Sequence, residues 1–175
     1  MNKISTTTEV ANVRTAVLDT NVVLDWLVFR DPSTLWLPIA LRTFPIPGSG
    51  LRLMTSAAAL TELQNVLAYA RLGLSLEDQR TVLDMYRQQA MLVEPQAPAG
   101  LPRCRDADDQ HFLELAVFAQ ADVLISRDKA LLKLRSRMKK FGVQVVDARE
   151  AERTFASLAS GAAGTFAGEP RQLTG

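Results

Sequence analysis

"TAVLDTNVVLDW", residues 15–26, is an apolar run that halts on Asp-Thr-Asn and then resumes. "RTAVL", 14–18, is short and apolar enough for a buried strand, and Val22, Val23, Trp26, Leu27 and Phe29 recur at a helical spacing that Pro32 is expected to stop. A carboxylate, Asp19, therefore falls where a strand is expected to end and a helix to begin. Two explanations compete. Asp is a preferred N-cap residue, so Asp19 taken alone reads most simply as a helix cap. The sharper reading is that the strand delivers a carboxylate to a metal site, which requires other carboxylates to converge on the same place.

Working outward, a second helical segment is expected over 33–44 and a loop at "PIPGSG", 45–50. "LRLMTS", 51–56, reads as a strand feeding the Ala/Leu-rich helix "AAALTELQNVLAYARLG", which ends near Gly73. "SLEDQRTVLDMYRQQA", 75–90, opens with Ser75 and Asp78 in capping-box spacing and continues as a helix. "MLVE", 91–94, is a candidate strand and "PQAPAGLP", 95–102, a surface loop. Then come an acid-led helix "RDADDQHFLELAVFAQ" (105–120), a strand "DVLIS" (122–126), a basic helix "RDKALLKLRSRMKKFG" (127–142) stopped by Gly142, and a last strand "VQVV" (143–146). Strands alternating with helices predict an α/β fold of three layers, α/β/α, with a mostly parallel central sheet covered on both faces. The domain is expected over 13–150, between a polar tail at 1–12 and a C-terminal stretch, 151–175, of a short helix to about Leu158 followed by a flexible Gly/Ala/Ser-rich tail.

Composition narrows the function classes. The 175 residues suit one domain, a size that commonly buries about 70% of its unfolded surface. With 20 Lys+Arg against 19 Asp+Glu the net charge is +1, so binding must be argued from local clusters. The single cysteine, Cys104, excludes an intramolecular disulfide framework and a Cys-rich zinc site, and the single histidine, His111, speaks against a His-based metal centre. No stretch approaches the roughly 18 apolar residues of a membrane span, and no apolar leader segment opens the chain, so a cytoplasmic protein is expected.

Open parallel sheets gather their ligand sites beyond the carboxyl ends of the strands. Asp19 and Asp128 stand at or just past two such ends, Glu62 follows a third strand by one to two helical turns, and Asp106, Asp108 and Asp109 crowd the start of a helix. Two carboxylates about 4 Å apart repel by roughly 4 kcal/mol at an effective dielectric near 20, and a cation relieves that repulsion. An all-oxygen donor set favours Mg2+ or Mn2+ over zinc. Individually Asp19, Asp106 and Asp128 read as caps and Glu62 as a solvated helix residue; their joint placement is what favours a site.

The segments "AVLDTNVVL", "TSAAALTELQNVL", "CRDADDQHFLELA" and "ADVLISRDKALL" stand in an order that resembles the PIN domain family, in particular its bacterial branch of toxin–antitoxin toxin components, over approximately residues 13–148. The resemblance implies a metal-dependent nuclease acting mainly on RNA and leaving 5′-phosphate and 3′-hydroxyl ends. It carries over Asp19, Glu62, Asp109 and Asp128 as the acidic quartet, with Asn21 orienting Asp19 or a nearby water and Asp106 and Asp108 as auxiliary acids. Within it, Asp19 and Asp109 are expected as direct ligands of Mg2+ or Mn2+, Glu62 as a ligand or water-orienting base, and Asp128 as an outer or second-metal ligand. Ala107 and Gln110 stand where this branch often has Pro and Asp, departures that fall in the auxiliary shell. An RNA substrate and an antitoxin protein are the partners implied.

Arg127 and Lys129, flanking Asp128, are the favoured phosphate contacts, whereas Lys133, Arg137 and Lys140 read as the solvated outer face of a helix packed through Leu131, Leu134 and Met138. His111 reads as structural or solvent-facing and Cys104 as a small buried side chain. Trp26, Phe29 and Trp36 read as core by default, with a homodimer contact as the other reading. The rivals are a haloacid-dehalogenase-like phosphatase, which would need an acid where Asn21 stands, and a catalytically inert PIN-fold binding module.

Overall fold

The three central strands carry apolar residues on both sides, and the computed structural model, which describes residues 13–42, 50–96 and 98–162, buries them, whereas Met91 and Leu92 of an edge strand are exposed. The 1–12 tail, all but the last residue of the 45–50 loop and everything after 162 lie outside the described residues. The strands β1 (Arg14–Leu18), β2 (Leu51–Ser56), β3 (Ala90–Val93), β4 (Val123–Ile125) and β5 (Gln144–Val146) form one sheet in the order β3-β2-β1-β4-β5. Every pairing is parallel, with Ala16 opposite Leu53 and Val123, and Leu18 opposite Ile125.

Alternation along the strands divides the core in two. Ala16, Leu18, Leu51, Leu53, Val123 and Ile125 face one layer of helices, and Val17, Met54, Leu124 and Val145 face the other. The first layer holds α1 (Thr20–Leu24), α3 (Ala57–Leu67), α4 (Leu76–Gln89) and α8 (Ala148–Ala162), through Val22, Val23, Leu60, Leu63, Tyr86 and Ala151. The second holds α5 (Gln110–Phe118), α6 (Lys129–Leu132) and α7 (Arg135–Met138), through Phe112, Leu113, Leu115, Ala116, Leu131 and Met138. Trp36 belongs to the first core and stacks on Phe155 of α8 at 5.2 Å between ring centroids. Phe29, by contrast, is 56% exposed.

Several elements depart from expectation at their ends. The first helix is α-helical only to Leu24, then widens into a π turn over Asp25–Phe29 that closes on Arg30 in the left-handed region. Pro32 starts a 3-10 turn capped by Asp31 instead of following a helix stop, and the second segment is helical only at α2 (Leu37–Arg42). The third helix ends at Leu67, and a separate 3-10 turn runs on to Gly73 at φ +61°. Its successor α4 has the full Ser75–Asp78 capping box. The acid-led segment becomes helical only at Gln110. The basic segment breaks into α6, α7 and a 3-10 turn before Gly142, so Lys133 lies in the break between two helices. Its exposed cations over buried Leu131, Leu134 and Met138 are nonetheless the solvated outer face anticipated. The last helix begins at Ala148 and runs past Leu158. No helix among the described residues is long and apolar enough to cross a membrane.

Leu124, at the middle of β4, is fully buried in the second core. Replacing it with Ala is expected to lower the unfolding free energy by about 2–5 kcal/mol in urea titration, with an unchanged m-value.

Candidate functional site

The β1–β4 pairing continues one residue past Leu18, where the Asp19 N–H donates to the Ile125 carbonyl at 3.0 Å. Asp19 is only 2% exposed, and both of its oxygens are bonded. Oδ1 accepts from the Val22 N–H at 2.9 Å, so the residue does cap α1. Oδ2 accepts from the Ser126 hydroxyl and from the Arg127 N–H at 3.3 Å. Ser126 Oγ in turn accepts from the Asp128 N–H at 2.9 Å. Burial pushes the Asp19 carboxyl up to about 6; the bonds from Ser126, Val22 and Arg127 oppose that rise, and the charge of Glu62 adds to it.

Asp109, half-buried at the last position before α5, makes no side-chain cap bond. Its carboxyl is pushed up to about 7, first by burial and then by the charges of Asp128, Asp106, Glu62 and Asp19 in that order. One carboxylate thus feels acids from four separate segments of the chain. Asp128 caps α6, its Oδ1 accepting from the N–H groups of Ala130 at 2.5 Å and Leu131 at 3.1 Å. Glu62 is half-buried on α3, with Oε2 3.4 Å from His111 Nε2. Asp106 and Asp108 are exposed; Asp106 Oδ1 accepts from the Asp108 N–H at 3.1 Å, and the Asp108 carbonyl meets His111 Nδ1 at 2.7 Å.

Beside the acids, Asn21, Asp25, Phe29, Arg127 and Asp128 line a cleft of about 290 Å³. Arg127 donates to Asp25 Oδ2 at 2.6 Å, and that buried partner pushes its guanidinium pKa upward. More than half of the Arg127 side chain is exposed, and Lys129 is exposed at the first position of α6. The buried Asp25 carboxylate thus holds one terminal nitrogen of a guanidinium that lines the cleft.

Four residues of this region escape the sequence reading. Ser126 is the last residue of "DVLIS", and nothing local distinguishes a strand-end serine that bridges two acids from one that does not. Asp25 resembles any polar residue on a helix until the π turn buries it. Gln110 replaces an expected auxiliary acid with a clamp: its Oε1 accepts from the Cys104 N–H at 2.8 Å and Nε2 reaches the Pro102 carbonyl at 3.5 Å, tying down the acidic loop. His111, read as structural, stands against Glu62. Cys104 is buried as expected, which pushes its thiol pKa up.

Among the described residues, no three His, Cys, Asp or Glu side chains stand close enough together to hold one ion as they are. The donors around Asp109, whose carboxyl is raised first by burial and then by four neighbouring carboxylates, are all oxygens, the kind that hard divalent cations take. Asp19 and Asp109 both hold protons above the ordinary 3.8. Between that value and about 6–7 the folded state binds more protons than the unfolded chain, so folded stability falls as pH rises through the window. The melting temperature of protein in EDTA is expected to decline from about pH 4.5 to about pH 7.5, to decline less in Asp109→Asn, and to flatten when Mn2+ is added.

Comparison with known proteins agrees with this architecture. No curated protein matches the sequence. Among solved structures, VapBC2 from Rickettsia felis, bound to a DNA fragment from its promoter, superposes with a TM-score of 0.52 at 15% identity, covering 76% of this chain and 99% of that one. PAE2754 from Pyrobaculum aerophilum gives a TM-score of 0.52 at 17% identity, covering 91% and 99%. At such identities these likenesses show the fold. The family model described as PIN domain matches residues 15–130, well over half of the sequence, and the chain therefore belongs to the PIN domain family of nucleases.

Proposed function

We propose that the protein is a divalent-cation-dependent endoribonuclease and the toxin component of a toxin–antitoxin pair. The observation that carries the reading is the joining of Asp19 and Asp128 through Ser126 at the carboxyl end of the sheet, with the Asp109 carboxyl raised first by burial and then by the charges of Asp128, Asp106, Glu62 and Asp19. Bare carboxylates would repel a phosphodiester, and Mg2+ or Mn2+, when bound, would reverse the local sign and lower the pKa of a water. Asp19 and Asp109 would hold the ion, Asp19 from a position set by Ser126 and two backbone N–H groups. Asp128 would act from the outer shell, consistent with one oxygen committed to capping α6. Glu62 would ligate or accept the proton of the attacking water. Arg127 and Lys129 would meet the phosphate across the cleft, beside Asn21, with Arg127 braced by Asp25.

An antitoxin partner rests on the solved VapBC2 structure and on exposed apolar residues, Phe29 at the cleft together with Leu35 and Ile39, which are 56%, 58% and 68% exposed. A cytoplasmic location goes with the RNA substrate. The phosphatase alternative is disfavoured by Asn21, which stands where that chemistry needs its second acid. The inert-module alternative leaves the clustered acids without a purpose.

With Mg2+ or Mn2+ present, the purified protein is expected to cut single-stranded RNA to 5′-phosphate ends and to leave p-nitrophenyl phosphate intact. EDTA should abolish cleavage. Asp19→Asn, Glu62→Gln and Asp109→Asn should each slow it by about 10²-fold or more while keeping the native circular dichroism spectrum. Full RNA cleavage by the folded Asp19→Asn variant would overturn the assignment, and a phosphoenzyme trapped at Asp19 would establish the phosphatase.

A further inference from the structure

Phe29 stands apart from the apolar residues that precede it. Trp26, Leu27 and Val28 of the same π turn pack against the first core, whereas Phe29 is exposed and lines the cleft beside the acids. The turn is closed and locally strained. The Asp25 carbonyl accepts from the N–H groups of Arg30 and, at 2.8 Å, of Asp31, and Arg30 takes φ +52°, a left-handed conformation that residues with a Cβ rarely adopt. π turns at helix interruptions recur at functional sites. This one bears two cleft residues four positions apart: Asp25, which holds Arg127, and Phe29.

We propose that Phe29 is a base-stacking residue: its ring takes the face of one unpaired nucleobase next to the phosphate met by Arg127, so that the site selects RNA that is single-stranded at that nucleotide. The lining of the cleft fits a nucleotide. Asn21 brings an exposed amide that both donates and accepts, as a base edge requires, and the Arg127 guanidinium, bonded to Asp25 through one terminal nitrogen, keeps further donors for a phosphate. An aromatic face accepts any base, and a base inside a duplex cannot reach it without leaving its stack. At about 290 Å³ the cleft sits at the small end of ligand pockets, roughly 300–1,000 Å³, which suits one base and not a run of them. Leu35 and Ile39 do not line it, so the apolar patch offered to a protein partner meets the cleft only at Phe29, where the flanking Arg127 and Asn21 favour a nucleotide as occupant of the ring. The inference rests on the nuclease reading, and its test separates the two.

The experiment measures Mn2+-dependent cleavage of a single-stranded RNA, and of the same RNA with an abasic residue at each position flanking the cut in turn, by the wild type, Phe29→Ala, Phe29→Leu and Phe29→Trp. The Ala and Leu substitutions should each lose about tenfold in kcat/KM, and Phe29→Trp should keep the wild-type value. At one position the abasic residue should cost the wild type a similar factor and cost Phe29→Ala nothing further, the signature of a direct pair. In parallel, a 2-aminopurine base scanned through the RNA is titrated with protein carrying Asp109→Asn, which leaves the RNA uncut; at one position its fluorescence should be quenched with Phe29 intact and not when Phe29→Ala is added. Wild-type rates in Phe29→Ala, or a loss that persists undiminished on every abasic substrate, would overturn the stacking role and leave the nuclease standing, as would an effect of Phe29→Ala confined to binding of a protein partner. A quench that depends on Phe29 without any cleavage by the wild type would keep the stacking role and overturn the nuclease. Neither signal would overturn both.

Discussion

The parallel pairing of β1 with β4 sets Leu18 opposite Ile125, and the residues that follow them, Asp19 and Ser126, meet at the end of the sheet. A carboxylate buried there is stable only if its lone pairs are occupied, and three donors occupy them: the Ser126 hydroxyl and the N–H groups of Val22 and Arg127. One oxygen anchors the start of α1 and the other ties that start to the turn leading into α6. Ser126 then passes the constraint on, accepting from the Asp128 N–H. Two acids more than a hundred residues apart are thereby held in one frame.

The remaining acids reach the frame by different routes. Glu62 comes from α3, whose start is fixed by Ser56 accepting from the Ala59 N–H at 3.2 Å. Asp106, Asp108 and Asp109 come from an irregular loop ahead of α5, and the Gln110 side chain closes this loop onto Pro102 and Cys104. An acid at that position could accept from Cys104 but could not donate to Pro102, so the amide suits a brace better than a ligand. Rigidity at the loop base leaves Asp109 free of capping duty and open to its neighbours' charge.

Cations are distributed to match. The exposed Lys and Arg residues after Lys129 do not make one continuous helical face, because the segment breaks at Lys133 and turns. Beside the acids stand Lys129 and Arg127, the latter held at the cleft by buried Asp25. A guanidinium held at one nitrogen retains further donors, which suits it to a substrate phosphate without adding a wholly mobile charge.

How much of this was legible in the sequence follows from the range of the interactions. Apolar runs bounded by Asp19, Ser56 and Ser126, with helical spacing between them, are local patterns, and local patterns determined the α/β class, the parallel sheet and the strand ends at which the acids stand. The order of the four acidic segments likewise sufficed to place the chain in its family. Helix ends were read less well, since the π turn after Leu24 and the break at Lys133 answer to packing against the sheet and not to the residues' own propensities. Only the tertiary structure decided what each polar side chain does: that Ser126 bridges Asp19 and Asp128, that Gln110 is a clamp, that Asp25 holds Arg127, and that His111 faces Glu62. Except for the clamp and the Ser126–Asp128 bond, which stay within their own segments, these pairings join residues some fifty to a hundred positions apart. Their partners are chosen by strand register and helix docking, which no local spacing encodes.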